Sequence, residues 1–414
     1  IVIGFALFSM FFGAGNLIFP AFLGNKVGSQ FLAAIIGFII TGVGLPFLAI
    51  TACSMGDGTF DSISNKIGKN FSIILTILLF VAIGPMLAIP RTAATSFELA
   101  IHPFFPNIPS LIVMTIYFLI NIFFVFQKSS IIDTLGKYLT PVLIILLSLI
   151  IIKGLIMPID EVINTNAVNV FSSSLLEGYQ TMDAIAALLF AGIITKSLKS
   201  KGYRNKEMSS MLFKSSAVAG IGLVFVYGGL TYIGAQTVNL TSESLGKTEI
   251  LILISKSILG NLGPILIGTA MGLACLTTSI GLLSSGAEFF EKISKGKLNY
   301  KLNVIIISIV SLVIATLGVD KIIVLSVPIL NVLYPVAITL IVTSFLNNLI
   351  NNINAIRLGT YTSLIFGILS IIPGINLTFI PLAKLGFPWV LPTVIAIVIG
   401  CMLFPNTYKK FSEV

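Results

Sequence analysis

FSMFFGAGNLIFP, residues 8–20, is apolar enough for a membrane helix, yet Gly13, Ala14, Gly15 and Asn16 stand in its middle and Pro20 closes it. Glycine in a helix interior costs about 1 kcal/mol relative to alanine, and asparagine favours caps and turns over helix interiors. Two glycines beside an asparagine therefore predict a break in the helix, within a segment whose other residues belong in lipid. Either the break is a kink that lets helices pack closely at a small-x-small pattern, or it exposes peptide groups to a ligand.

The rest of the chain explains the setting. Of its 414 residues, 56% are hydrophobic and only 9% charged, with a mean hydropathy of +1.08; soluble domains carry roughly 25% charged residues. Residues 27–56, 70–90, 257–287, 322–356 and 358–383 contain no Asp, Glu, Lys or Arg, and each exceeds the roughly 18 apolar residues that mark a spanning helix. A β-barrel would need short alternating segments instead. The expected fold class is an all-α polytopic membrane protein. The first segment is too long for a signal peptide and ends in no cleavage site. Cys53, Cys275 and Cys401 have no pairing or metal-ligand spacing and read as small core residues, and His102 lies in the polar break HPFFPNIP.

Cutting at charged or Pro/Asn/Gly-rich breaks predicts about twelve spans, near residues 1–23, 30–55, 70–98, 109–127, 136–156, 167–196, 208–236, 249–288, 302–317, 322–346, 356–373 and 388–405. With alternate loops on opposite sides, seventeen Lys and Arg fall on one side and six on the other, Arg91 remaining inside a span. The positive-inside rule then places both termini in the cytoplasm. The net charge of +9 is topological, and no nucleic-acid partner is needed to explain it.

EGYQTMD, residues 177–183, interrupts the sixth span as GAGN interrupts the first. If the chain is two copies of a five-span unit, these are equivalent first helices, and an odd span number gives the copies opposite orientation. The expected division is 1–156, 157–346 and two additional helices in 347–414. Inverted repeats with broken first helices point to a binding site at the membrane midplane. Free N–H groups at one half-helix start suit a carboxylate, and free carbonyls at another's end suit a cation or an ammonium group. A third feature is ACLTTSIG, residues 274–281. Ala274, Thr277 and Thr278 share a helix face, offering one carbonyl and two hydroxyls to a desolvated Na⁺ or, alternatively, to helix packing.

The segments GFALFSMFFGAGNLIFPAFLG (4–24), GPMLAIPRTAATSFE (84–98) and EGYQTMDAIAALLF (177–190) resemble the branched-chain amino acid carriers of bacteria, the BrnQ-type LIVCS cation symporters. More distantly, GAGN followed by Phe-Pro, and A-x-L-T-T-S-I, are similar to the sodium-coupled bacterial leucine transporter. The resemblance implies the leucine-transporter fold, with a five-plus-five inverted repeat and discontinuous helices 1 and 6. It implies Na⁺-coupled import of leucine, isoleucine or valine across the bacterial inner membrane, with Na⁺ as coupling ion and no other cofactor. By motif, the N–H groups of Ala14 and Gly15, beside Gly13, receive the carboxylate. The carbonyls of Ser9, Phe12 and Ala274 and the hydroxyls of Thr277 and Thr278 form a sodium site, while Asn16 matches a ligand of a second one whose other ligands have no match here. The relatives' outer-gate Arg has no counterpart, since Leu17-Ile18 is one residue shorter.

Tyr179, Thr181 and Met182 lie at the second break and are expected around the substrate, with Pro85 and Met86 on its apolar side. Arg91 is expected to pair with Asp183 or Glu177, as a static ion pair or as a gate or proton-coupling pair. Asp183 also suits the first turn of a half-helix capped by Thr181. Proton-coupled transport and a non-transporting sensor are the alternatives. A channel lacks the expected ring or repeated filter, and no HExxH, GxSxG, P-loop or Cys/His cluster supports an enzyme.

Overall fold

A computed structural model describes residues 2–127, 140–241 and 245–404, apart from the side chains at 205, 206 and 348. Residues 136–139 of the expected fifth span, with Lys128, Lys137, Lys409 and Lys410, lie outside the described residues. In chain order the helices of eight residues or more are α1 (Val2–Phe11), α2 (Ala14–Val27), α3 (Phe31–Ser54), α4 (Lys69–Ile101), α5 (Ser110–Phe126), α6 (Thr140–Ile156), α7 (Val170–Tyr179) and α8 (Asp183–Ser200). They continue as α9 (Asn205–Ala235), α10 (Lys247–Leu259), α11 (Gly263–Ile293), α12 (Tyr300–Ala315), α13 (Val319–Phe345), α14 (Ile353–Leu369) and α15 (Val390–Leu403). Extended pairing among the described residues is confined to an isolated bridge between Gly28 and Asn164. In hydrocarbon a helix satisfies its own backbone, whereas an open sheet edge would not.

The side chains are distributed as a lipid solvent requires. Along α5 the buried residues are Met114, Phe118, Asn121 and Val125, a single helical stripe, while Leu111, Ile112, Ile116, Leu119 and Phe123 face outward. Helices α3, α12, α14 and α15 likewise expose Leu32, Ile36, Val313, Ile365 and Val394. Buried polar residues such as Ser9, Asn16, Arg91, Asp183 and Thr277 lie inside, among the largest enclosed side chains, Tyr227, Tyr334, Phe8, Phe12, Phe19 and Phe190. An apolar exterior around a partly polar interior is the pattern of a membrane-embedded bundle, and the three free cysteines divide between the two. Cys53 and Cys275 are buried, but Cys401 is exposed on the outer face of α15, so it is no core residue.

Both predicted breaks are present. Helices α1 and α2 meet at 66° across Phe12 and Gly13, and α7 and α8 are separated by Gln180, Thr181 and Met182. The expected eighth span, 249–288, is not one helix. It contains most of α10, then a turn at Gly260–Leu262 with Gly260 at φ 59°, and then α11. Gly263 lies against the Ser255 and Lys256 backbone, so α10 folds back onto the start of α11. The apolar run hid this turn because GNLG carries no charge to mark it.

Candidate substrate and cation site

Each break is held open by side chains rather than left as a flexible gap. At the first, the Phe12 N–H closes the last turn of α1 on the Phe8 carbonyl (2.8 Å), and Gly13 adopts extended backbone at φ −114°, ψ −158°. The Gly13 N–H donates to Asn16 Oδ1 (3.0 Å), so Asn16 bridges the break, and no side chain caps the opening N–H groups of α2. Asn16 Nδ2 donates to Asp183 Oδ2 (2.6 Å) and also contacts the Tyr227 hydroxyl. That hydroxyl donates to the same Asp183 oxygen (2.8 Å). One buried cluster thus ties the first break to the start of α8 and to the middle of α9. Asn16→Ala is expected to lower the stability of the purified protein by about 1–3 kcal/mol, because it strands the buried Gly13 N–H and removes one of the two donors to the buried Asp183 carboxylate. A melting temperature unchanged from wild type would contradict this.

At the second break Met182 takes left-handed backbone, φ 66°. The carbonyls at the end of α7 are all engaged: Glu177 O by the Gln180 N–H, Gly178 O by the Thr181 N–H and hydroxyl, and Tyr179 O by the Met182 N–H and the Tyr334 hydroxyl. Gln180 O accepts from Arg91 NH1 at 2.8 Å. The Asp183 N–H reaches Thr181 Oγ1 at 3.4 Å, a long N-terminal cap for α8. Ser326 donates to Gln180 Oε1 (2.8 Å), so α13 fixes this break from its far side.

The cation candidates converge. Thr277 Oγ1 lies 2.9 Å from the Ser9 carbonyl and 2.9 Å from the Ala274 carbonyl, and Thr278 Oγ1 lies 3.3 Å from Ser9 O. A Cβ on Gly13 would stand 2.9 Å from Thr278 Oγ1, so glycine lets the first break touch α11. Neutral oxygens from two helices, all from buried residues, form a donor set suited to a hard monovalent cation.

Between the breaks is a small cavity of about 20 Å³, lined among others by Gly13, Ala14, Asn16, Thr181, Met182, Asp183 and Thr278. That space holds about one water, so a larger ligand enters only when the helices part. Arg91, Thr92, Ile83 and Ala88 complete one wall, from α4. Pro85 and Met86 lie outside this lining. The Ala82–Ala88 stretch is a π-helical turn with Gly84 at ψ −106°, and its wider turn puts residues five apart, Ile83 and Ala88, on the inner face.

Three further expectations are altered. Tyr179 stacks on Tyr334, ring centroids 4.2 Å apart, and lines a separate outer groove with Asn331 and Trp389. Glu177 is half-buried, with Oε2 unpartnered, and is not part of the cavity. Arg91 makes no ion pair with either acid; the Gln180 carbonyl takes the position expected of a carboxylate. Phe19, on α2, lies 5.4 Å from Arg91 and 5.0 Å from Lys247, which is also 4.5 Å from Phe22. Cation–π contacts from α4 and α10 thus cover the stretch in which the distant relatives carry their gate Arg, while Leu17 and Ile18 are fully buried. Tyr227, Tyr334, Gln180 and Ser326 escaped sequence reasoning; Tyr227 is one aromatic in the apolar run VFVYGGL and carries no local signal.

Residues 1–407 match the family described as branched-chain amino acid transport protein. The chain belongs to that family. Branched-chain amino acid permease BraB of Bacillus subtilis is 36% identical, over 100% of this chain and 98% of its own. A putative branched-chain amino acid carrier protein of Staphylococcus epidermidis is 37% identical over 97% and 96%, and permease BrnQ of Bacillus subtilis is 35% identical over 97% and 96%. Among solved structures, a nucleobase-cation-symport-1 family transporter in a closed conformation with bromovinylhydantoin bound superposes with a TM-score of 0.66 at 14% identity, covering 99% of this chain and 94% of that one. MhsT in complex with L-phenylalanine gives 0.57 at 18% identity, covering 97% and 98%. This family member is a multi-pass, membrane-embedded protein with the leucine-transporter fold, and its relatives and fold neighbours are transporters, not enzymes.

Proposed function

We propose that the chain is a secondary active transporter that imports leucine, isoleucine and valine together with Na⁺, by alternating access around the cavity between the two breaks. The observation that carries the Na⁺ reading is the convergence of the Ser9 and Ala274 carbonyls with the Thr277 and Thr278 hydroxyls beside Gly13. Binding of Na⁺ there, with the Phe12 carbonyl as a further ligand, would replace hydroxyl–carbonyl contacts by ion–oxygen contacts and draw α1 and α11 together. The first N–H groups of α2, at Ala14 and Gly15, favour a carboxylate. Met10, Phe11, Ile83 and Leu282 give the cavity its apolar wall. Such a wall discriminates weakly among substrates differing by one methylene, worth about 1–3 kcal/mol.

In this reading 1–156 and 157–346 are the inverted copies and 347–414 is peripheral. The helices bearing the breaks rock against the others. The charge bias of the loops sets both termini in the bacterial cytoplasm. That orientation places on the cytoplasmic side a cavity of about 410 Å³ beneath the site, lined by Leu189, Gly192, Ser285 and Phe289 and rimmed by the Lys196–Glu288 and Lys292–Asp61 pairs.

The test is isotopic leucine uptake into proteoliposomes under separately imposed gradients. A Na⁺ gradient alone is expected to drive accumulation above equilibrium, and replacing Na⁺ by choline to abolish it. Asp183, a carboxylate buried in the cavity wall, favours proton coupling as the second reading; uptake driven by a pH gradient without Na⁺ would select it. Leucine binding with no uptake under either gradient would mark a sensor.

A further inference from the structure

A zwitterion needs an acceptor for its ammonium group, and the carbonyls at the end of α7 are already engaged, Gly178 O and Tyr179 O by two donors each and Gln180 O by the Arg91 guanidinium. The four carbonyls from Glu177 to Gln180 are each taken by donors of the chain itself. The nearest anionic group is Asp183, 2% exposed, on the cavity wall. Asn16 and Tyr227 both approach its Oδ2, an arrangement that fixes the carboxylate while leaving Oδ1 without either donor.

Arg91 is the complement. It is 3% exposed and lines the same cavity, and of its guanidinium nitrogens NH1 is committed to Gln180 O while Nε has no partner. A Cβ on Gly15 would stand 2.8 Å from Arg91 NH2, so the absence of a side chain at Gly15 brings the guanidinium against the start of α2. That is where the helix N–H groups already favour an anion. Buried charges inside a membrane protein are ordinarily paired, and here a cation and an anion share one small cavity without an ion pair between them. A dipolar ligand placed between the two would satisfy both.

We infer that Arg91 and Asp183 are the two jaws of a charge clamp, Arg91 on the substrate's α-carboxylate and Asp183 on its α-ammonium, with Asn16 and Tyr227 as positioning residues for Asp183. This rests on the amino acid transport reading above and deepens it. The substrate class is the free α-amino acid, with both charged ends required. Peptide-bonded, des-amino and decarboxylated analogues are excluded even though their side chains fit.

The test uses the full chain in nanodiscs, with labelled leucine displaced by leucine, by 4-methylpentanoate, which lacks the amine, and by 3-methylbutylamine, which lacks the carboxylate. Wild type is expected to bind leucine on the order of 100-fold more tightly than either analogue. Asp183→Asn is expected to weaken leucine by a similar factor while leaving 4-methylpentanoate within threefold of its wild-type affinity. Arg91→Gln should weaken leucine likewise and leave 3-methylbutylamine unchanged. Equal losses for leucine and both analogues in either variant would make that residue a structural one and overturn the clamp. Should the variants fail to fold, wild type alone decides: an analogue that competes as well as leucine removes the jaw assigned to its missing charge. A wild-type chain that binds no leucine overturns the transport reading and the clamp with it, whereas tight leucine binding without analogue discrimination overturns the clamp alone.

Discussion

Replacing Thr277 and Thr278 together by alanine is expected to abolish Na⁺-driven leucine uptake. Both hydroxyls lie within 3.3 Å of the Ser9 carbonyl, and Thr277 also reaches Ala274 O. An interaction with a charged group is worth about 1.5–3 kcal/mol, so losing two ligands weakens Na⁺ by on the order of 10²–10⁴-fold. The loss is expected as a rise in the Na⁺ concentration needed for half-maximal uptake, measured on folded protein whose stability falls by about 1–3 kcal/mol, because the buried Ser9 carbonyl loses both hydroxyl donors. Thr278→Ser keeps the hydroxyl and is expected to retain most of the activity. A double variant whose Na⁺ dependence matches wild type would remove these residues from ion binding.

The second large effect concerns assembly. Gly24 on α2 faces the Thr231 carbonyl of α9, and Gly234 on α9 faces the Ala21 carbonyl of α2, each so closely that a Cβ would fall inside van der Waals contact of backbone. Backbone cannot swing aside as a side chain tip can. Gly24→Val is therefore expected to destabilise the protein by about 3 kcal/mol or more, and Gly24→Ala by about 1–3 kcal/mol. Gly272, on α11, has nothing within 4 Å of the same built position. Gly272→Ala is accordingly expected to be neutral or to stabilise by about 0.5–1 kcal/mol through helix propensity. Melting temperatures of the three variants check the contrast, and a Gly24→Ala protein as stable as Gly272→Ala would contradict the packing account.

How much of this was legible depends on where each signal lies along the chain. The breaks at Gly13 and at 180–182 could be read because glycine, asparagine and acidic residues have local meaning in an apolar run. Thr277 and Thr278 could be read because helical spacing puts them on one face. Features set by tertiary geometry could not. Nothing around Tyr227 tells that it meets Asn16 and Asp183, and nothing around Arg91 tells that its partner is a peptide carbonyl rather than an acid. The inward shift from Pro85 and Met86 to Ile83 and Ala88 follows from a π-helical turn, which an assumption of 3.6 residues per turn misplaces. The α10–α11 hairpin was hidden because lipid-like composition runs unbroken through its turn.

If substrate and coupling ion meet between the two broken helices, an experimental density map of the protein with leucine and Na⁺ will show them there. Leucine is expected between Ala14–Gly15 and Thr181–Asp183, with an ion among Ser9, Ala274, Thr277 and Thr278. Leucine found instead in the outer groove beside Tyr179 and Trp389, with the cavity between the breaks unchanged, would contradict it.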